Sequence, residues 1–223
     1  MPRRPALLRP ALLTLAGLVL ATAAAAAPAY WAGEINALTR DDSAHPPPQH
    51  GIVFVGSSSI RFWNTLSNDF PGRPVIKRGF GGSELADSVF YFDRIVLPYH
   101  PATVVLYAGD NDIAAGKSPE TVAQDFRAFV AKLHASLPGA RLLFIAMKPS
   151  PSRWRLHEQY ERGNRLIAAQ CAADPLLTFV DVWFAMLDAN GQPRPELFRP
   201  DMLHMKPAGY AIWVRLLTPL LQR

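Results

Sequence analysis

Four short blocks of polar and small residues have the composition needed for catalysis, and they lie far apart in the chain, at residues 56–59, 79–83, 109–112 and 201–204. The first block contains three consecutive hydroxyl groups, and the last pairs an aspartate with a histidine. A serine hydroxyl is a weak nucleophile at neutral pH, and an imidazole that accepts its proton allows it to attack an ester carbonyl. The residue types therefore indicate nucleophilic acyl chemistry.

The elements that must position these blocks are predicted from hydrophobic patterning. Short apolar runs, which are typical of strands buried on both faces, lie at 52–55, 75–76, 103–107, 142–146 and 179–182. Helical spacing is found between and after them, at 60–66, 85–96, 119–137, 156–173 and 207–221. This alternation predicts an α/β fold with a parallel sheet covered by helices on both faces. Ligand sites in such sheets lie beyond the carboxyl ends of the strands, where we expect the four blocks to meet.

In this order the four blocks resemble the motifs of the SGNH hydrolases, also called GDSL-type esterases and lipases. The resemblance extends from Gly51 to the C-terminus. It implies a three-layer α/β/α, flavodoxin-like fold in which five parallel strands run in the order 2-1-3-4-5. It also implies an ester-bond hydrolase that needs no metal and no organic cofactor.

The resemblance also implies a role for individual residues. Ser58 would be the nucleophile, His204 the base that accepts its proton, and Asp201 the acid that holds the imidazole in the right tautomer. The oxyanion hole would be formed by the backbone N–H groups of Ser58 and Gly82 and by the side-chain amide of Asn111.

One departure from the family pattern concerns the first block. The usual Gly-Asp-Ser is Gly56-Ser57-Ser58 in this chain, so Ser57 and Ser59 remain alternative nucleophiles. The spacing from Gly56 favours Ser58. Ser57 and Ser59 are otherwise expected to cap the helix that follows.

Other site chemistries fit the sequence less well. The chain has no Gly-x-Ser-x-Gly elbow, and Glu84 occupies the position of the third glycine of a dinucleotide fingerprint. A zinc-protease helix starting at His157 would need a second histidine where the chain has Glu161. Cys171 is the only cysteine, and its helical pattern predicts a small buried hydrophobe.

The N-terminus has the layout of a secretory signal peptide. Three arginines precede an apolar run over 11–21 and a stretch of small residues. That run is shorter than the roughly 20 residues that a membrane-spanning helix needs. We expect a signal peptide over residues 1–26, an N-terminal helix and Pro-rich linker over 27–50, and the hydrolase domain over 51–223 of a secreted or periplasmic protein.

Composition excludes several classes of partner. The 223 residues include 23 basic and 18 acidic side chains and are 49% hydrophobic, which is typical of a globular protein. Three of the basic residues and none of the acidic ones lie in the predicted leader, so the remaining chain has a net charge of +2. This balance gives little electrostatic reason to expect nucleic acid or anionic lipid as a partner. Oligomeric state is not predicted.

The substrate is predicted only by class, as a small-molecule, carbohydrate or lipid ester. The absence of a long lid insertion favours short acyl groups, such as acetyl groups on carbohydrate. Trp154 ends the loop after the fourth predicted strand, so it is a candidate substrate-binding residue, with packing at a helix start as the alternative. Two other functions remain open: an acyltransferase onto a carbohydrate hydroxyl, and a catalytically silent carbohydrate-binding domain.

Overall fold

The computed structural model describes residues 29–222, so the predicted signal peptide lies outside the described residues. The strands are β1 Ile52–Gly56, β2 Val75–Gly79, β3 Thr103–Tyr107, β4 Arg141–Ile145 and β5 Leu177–Val180. The α-helices are α1 Ala32–Thr39, α2 Ser58–Arg61, α3 Leu66–Asp69, α4 Leu85–Phe90, α5 Phe92–Ile95, α6 Asp110–Ala114, α7 Pro119–Ser136, α8 His157–Ala172 and α9 Pro207–Leu217. Short 3₁₀ segments are found at Ala29–Trp31, Leu97–Tyr99, Pro151–Leu156, Phe184–Met186 and Pro195–Leu197. None of these helices is long and apolar enough to cross a membrane.

The five strands form one parallel sheet in the order β2-β1-β3-β4-β5, which confirms the predicted topology. The register aligns Gly56 at the end of β1 with Gly79 of β2 and Tyr107 of β3. These three strands therefore end level with one another. The loops that follow them, which carry three of the four polar blocks, start from the same edge of the sheet.

Two hydrophobic cores cover the two faces of the sheet. Side chains alternate along each strand, so Val53 and Val55 belong to one core while Phe54 belongs to the other. The first core contains residues of α1, α4, α5, α7 and α8, and the second contains residues of α2, α3 and α9. Burial on both faces explains why β1 and β3 are continuous apolar runs in the sequence, whereas the edge strand β2 contains Lys77 and Arg78.

Several predicted elements have different bounds in the structure, including the last helix, which ends at Leu217, and β2, which extends to Gly79. The helix predicted over 60–66 is two short helices, because the chain leaves α2 so that Trp63 can enter the second core and donate to Asp69 Oδ2 at 2.6 Å. The helix predicted over 85–96 is interrupted at Tyr91 between α4 and α5. The strand predicted over 179–182 ends earlier, at Val180, because Asp181 accepts the N–H of Trp183 at 2.9 Å and turns the chain.

The N-terminal segment packs on the same body as the sheet. Ile35 of α1 is fully buried in the first core. Asp42 pairs with Arg78 of β2, with Arg78 Nη2 at 2.7 Å from Asp42 Oδ1 and 2.9 Å from Oδ2. The Nε of Arg78 also donates to the Tyr99 hydroxyl at 2.7 Å. These contacts attach residues 29–42 to the sheet edge formed by β2.

The close approach of β1 and β3 at Gly56 predicts a large loss of stability in Gly56→Ala. The residue has φ +135°, and an added Cβ would lie 1.9 Å from the Tyr107 carbonyl oxygen. We expect the free energy of unfolding in urea to fall by about 3 kcal/mol or more. Gly33→Ala is the control, because Gly33 lies exposed in α1 with nothing within 4 Å of an added Cβ. This variant should gain about 0.5–1 kcal/mol. Equal unfolding midpoints for the two variants would contradict this account.

Candidate active site

The turn from β1 into α2 singles out one of three consecutive serines. Ser57 donates its N–H to the Tyr107 carbonyl at 3.0 Å, and Ser58 is the first residue of α2. The side chains of Ser57 and Ser59 are buried, with exposures of 1% and 2%, whereas Ser58 is partly exposed. Ser57 stands at the helix N-cap, but its hydroxyl makes no capping bond, so the expected side-chain cap is not seen. Only the Ser58 hydroxyl can meet a substrate.

A chain of hydrogen bonds joins Ser58, His204 and Asp201. Ser58 Oγ lies 3.0 Å from His204 Nε2, and His204 Nδ1 lies 2.7 Å from Asp201 Oδ2. Asp201 Oδ1 also accepts the backbone N–H of His204 at 2.8 Å and that of Leu203 at 2.9 Å. The structure thus brings together the three predicted residues, although Ser58 and His204 are 146 positions apart in the sequence.

The charge of Asp201 determines which ring nitrogen of His204 carries hydrogen. Burial acts to raise the pKa of Asp201, but the hydrogen bonds from the His204 ring and from the two backbone N–H groups lower it to about 2. An ionised carboxylate only accepts hydrogen bonds, so Nδ1 must donate. In the neutral imidazole, Nε2 then presents its lone pair to the Ser58 hydroxyl, which is the arrangement that a general base requires.

The loop that carries Asp201 and His204 is short and closed at its base. An antiparallel bridge joins Phe198 to Met205, and Arg199 donates its N–H to the His204 carbonyl at 2.7 Å. The Phe62 ring lies edge-on to the His204 ring with 4.9 Å between centroids. Backbone pairing and ring packing together restrict the imidazole to the position beside Ser58.

Two further predicted residues, Gly82 and Asn111, line the same cleft as Ser58. Gly82 has φ +74°, a left-handed conformation that favours glycine. The N–H of the preceding Gly81 donates to Glu34 Oε1 at 3.1 Å. By contrast, the N–H groups of Ser58 and Gly82 have no protein acceptor within residues 29–222. Asn111, in the first turn of α6, donates from Nδ2 to the Ser83 carbonyl at 2.9 Å. Three donors are thus available around one small space.

Asp112, beside Asn111, holds a loop in place. It is fully buried and accepts the N–H of Leu85 at 3.0 and 3.2 Å, with Lys117 Nζ 3.2 Å away. Burial raises its pKa to about 6, against the opposing effect of Lys117 and of the Leu85 N–H. Asp112 therefore fixes the start of α4 relative to α6.

Within the part of the chain that the structure describes, no three His, Cys, Asp or Glu side chains are grouped so that they could hold a metal ion.

The cleft has a volume of about 280 Å³. It is lined by Ser58, Phe62, Gly81, Gly82, Asn111, Arg153, Leu203 and His204.

Trp154 is not among the residues that line the cleft. Its ring stacks on His157 at 4.5 Å and on Trp183 at 5.9 Å, which matches the alternative role of packing at a helix start. The neighbouring Arg153, which sequence reasoning missed, reaches the cleft instead. The available signal was the position of Arg153 in the loop after β4, directly before Trp154.

Solved structures share this fold at low sequence identity. A GDSL-like lipase from Bacteroides thetaiotaomicron is 20% identical, with a TM-score of 0.72 over 84% of this chain and 97% of that one. An acetylxylan esterase from Geobacillus stearothermophilus, solved as a catalytic mutant, is 13% identical, with a TM-score of 0.62 over 78% and 95%. A member of the lipolytic G-D-S-L family from Veillonella parvula is 13% identical, with a TM-score of 0.64 over 77% and 98%. No curated protein matches the chain.

The family is shown by a match over most of the sequence. Residues 51–212 match the model of the GDSL-like lipase/acylhydrolase family, and this range contains all five strands and the four polar blocks. The sheet order and the residues that meet at its carboxyl edge agree with that match. The chain therefore belongs to the GDSL-like lipase/acylhydrolase family and is a hydrolase of ester bonds.

Proposed function

We propose that the protein hydrolyses carboxylic esters of short acyl groups through an acyl-enzyme on Ser58. The observation that carries this proposal is the hydrogen-bonded chain from Ser58 Oγ through His204 to Asp201, with distances of 3.0 and 2.7 Å. Ser58 Oγ attacks the carbonyl carbon as its proton passes to His204 Nε2. The ester bond breaks when His204 returns this proton to the leaving alcohol. Water then repeats the cycle on the acyl-enzyme and frees the acid.

Negative charge develops on the carbonyl oxygen in both half-reactions. The N–H groups of Ser58 and Gly82 and the Nδ2 of Asn111 are the proposed donors to it, since all three residues line the cleft. Donors that are held in place before the reaction stabilise the transition state without reorganisation, by about 3 kcal/mol each. The proposed reaction draws on no group outside the chain except water.

The size of the cleft supports short acyl groups. Its volume of about 280 Å³ lies below the roughly 300–1,000 Å³ of sites for drug-sized ligands. Phe62 and Leu203 supply apolar surface, which suits a methyl or short alkyl group. The acetylxylan esterase with the same fold is in keeping with acetyl esters as substrates.

We propose that the enzyme acts outside the cytoplasm, on the strength of the signal-peptide pattern over residues 1–26.

Substitution of adjacent serines tests the nucleophile. Ser58→Ala should lower kcat for p-nitrophenyl acetate by roughly 10³-fold or more, because no acyl-enzyme can form. Ser57→Ala is the matched control, since this neighbouring hydroxyl is buried and does not contact His204. It should retain at least about half of the wild-type kcat. A Ser57 variant that is inactive beside an active Ser58 variant would assign the nucleophile to Ser57.

Replacing Asp201 by Asn tests the orientation of His204. The amide removes the negative charge that fixes the hydrogen on Nδ1, so kcat should fall by roughly 10²- to 10⁴-fold with little change in KM. Asp188→Asn is the control, because Asp188 likewise accepts two backbone N–H groups in an exposed turn, from Asn190 and Gln192, without contacting a histidine. Equal activities of the two variants would remove Asp201 from the mechanism.

A series of p-nitrophenyl esters tests acyl length. Acetate and butyrate should be cleaved with a kcat/KM at least about tenfold above that of octanoate, because the longer chain cannot be enclosed in a cleft of this size. The measurement uses concentrations below the micelle range of octanoate, with Ser58→Ala as the background. A preference for octanoate would contradict the short-acyl proposal while leaving the nucleophile intact.

A further inference from the structure

A buried ion pair lies directly beneath Asn111. The side chains of Asp110 and Lys148 are 5% and 1% exposed, and Lys148 Nζ lies 3.3 Å from Asp110 Oδ2. The Tyr107 hydroxyl donates to the same oxygen at 2.9 Å and accepts from Lys148 at 3.1 Å. Burial acts to raise the pKa of Asp110, but the charges of Lys148 and Arg153 outweigh it and hold the pKa below its usual value. Lys148 is thus the nearer of the two cations that pair with the Asp110 carboxylate.

Arg153 is a second cation at this place, and its shortest bonds are not to the carboxylate. Its Nη1 lies 3.5 Å from Asp110 Oδ2 but donates to the Asp110 backbone carbonyl at 3.1 Å. Its Nη2 donates to Asn111 Oδ1 at 3.0 Å. The side chain is 20% exposed and reaches the cleft beside Asn111. Because its hydrogen bonds are made to the Asp110 carbonyl and to the Asn111 amide, Arg153 does more than supply a charge beside Asp110.

The bonds of Arg153 determine which way the Asn111 amide faces. A guanidinium only donates, so the amide oxygen must face Arg153, and the Ser83 carbonyl only accepts, so Nδ2 must face Ser83. A flipped amide would set donor against donor and acceptor against acceptor. With both sides engaged, one hydrogen of Nδ2 remains, and Asn111 lines the cleft that Ser58 also lines.

We propose that Arg153 is a positioning residue for ester hydrolysis, which locks the Asn111 amide so that its remaining N–H is presented to the oxyanion. This inference rests on the proposed function. Arg153 acts through Asn111 and takes no part in bond making or proton transfer. Its contribution arises only after substrate has bound, because negative charge develops on the carbonyl oxygen in the transition states that lead to and from the tetrahedral intermediate.

Replacing Arg153 by Met should therefore lower kcat for p-nitrophenyl acetate by about 10- to 100-fold and change KM by less than about threefold. Arg155→Met is the matched control, since Arg155 is an exposed residue of the same 3₁₀ segment, and it should retain wild-type kcat and KM. A purely structural role would lower the melting temperature without this separation of kcat from KM. A rise in KM with unchanged kcat would show that Arg153 binds substrate instead and would overturn the proposal.

A double-mutant cycle separates action through Asn111 from direct action. In an Asn111→Ala background, Arg153→Met should lower kcat by less than about twofold, because the group that Arg153 positions is gone. The same loss in both backgrounds would overturn the proposal. Arg153→Lys controls for a folding defect, because lysine keeps the positive charge but lacks the planar guanidinium. This variant should have a melting temperature near that of the wild type and should still lose most of kcat. Full activity of this variant would assign Arg153 to charge alone.

These outcomes are distinguishable from failure of the proposed function. If Ser58→Ala retains full activity, the nucleophile is misassigned, and both the proposed function and the positioning role of Arg153 are overturned. If Ser58→Ala is inactive and the Arg153 effect is independent of Asn111, only the positioning role fails.

Discussion

The level ends of β1, β2 and β3 are the constraint on which the site depends. Gly56, Gly79 and Tyr107 are paired across the sheet, so the loops that carry Ser58, Gly82 and Asn111 begin at the same height. The pairing at Gly56 is so close that only a glycine fits beside the Tyr107 carbonyl. The close pairing of β1 with β3 and the placement of the proposed nucleophile are thus one feature. A slip of this register would separate the Ser58 hydroxyl from the proposed oxyanion donors.

At this edge of the sheet, two charged side chains set the hydrogen-bonding state of two neutral ones. A carboxylate can only accept hydrogen bonds and a guanidinium can only donate them, whereas an imidazole and a carboxamide can do both. Asp201 accepts only, and it thereby fixes the hydrogen of His204 on Nδ1. Arg153 donates only, and it fixes the oxygen side of the Asn111 amide. An imidazole and a carboxamide would otherwise each have two orientations of similar energy. Asp201 and Arg153 select one arrangement of His204 and of Asn111 before a substrate binds. Such preorganisation lowers an activation barrier because the groups need not reorient during the reaction.

The sequence predicted those parts of the molecule that local patterns determine. The strands β1 and β3 are continuous apolar runs because both faces are buried. The helix predicted over 119–137 begins at Pro119 in the structure, where Ser118 accepts the Thr121 N–H. What the sequence did not predict depends on long-range packing: Trp63 leaves α2 for the second core, and Asp181 ends β5 early. The same limit applies to the loop after β4, where position at the end of the loop favoured Trp154. Arg153 reaches the cleft instead, through hydrogen bonds to the Asp110 carbonyl and to Asn111 Oδ1.

The segment before the family match also belongs to the architecture of the cleft. The match begins at residue 51, yet Glu34 of α1 accepts the Gly81 N–H at 3.1 Å. The Trp31 ring lies 3.4 Å from where a side chain on Gly82 would begin, and its Nε1 donates to Asp87 Oδ2 at 3.1 Å. Because the Gly81 N–H is engaged, that of Gly82 is the proposed oxyanion donor on this loop. A glycine-rich loop that could adopt many conformations is therefore held in one by residues that precede the family match, and the proposed oxyanion geometry depends on α1 as well as on the sheet.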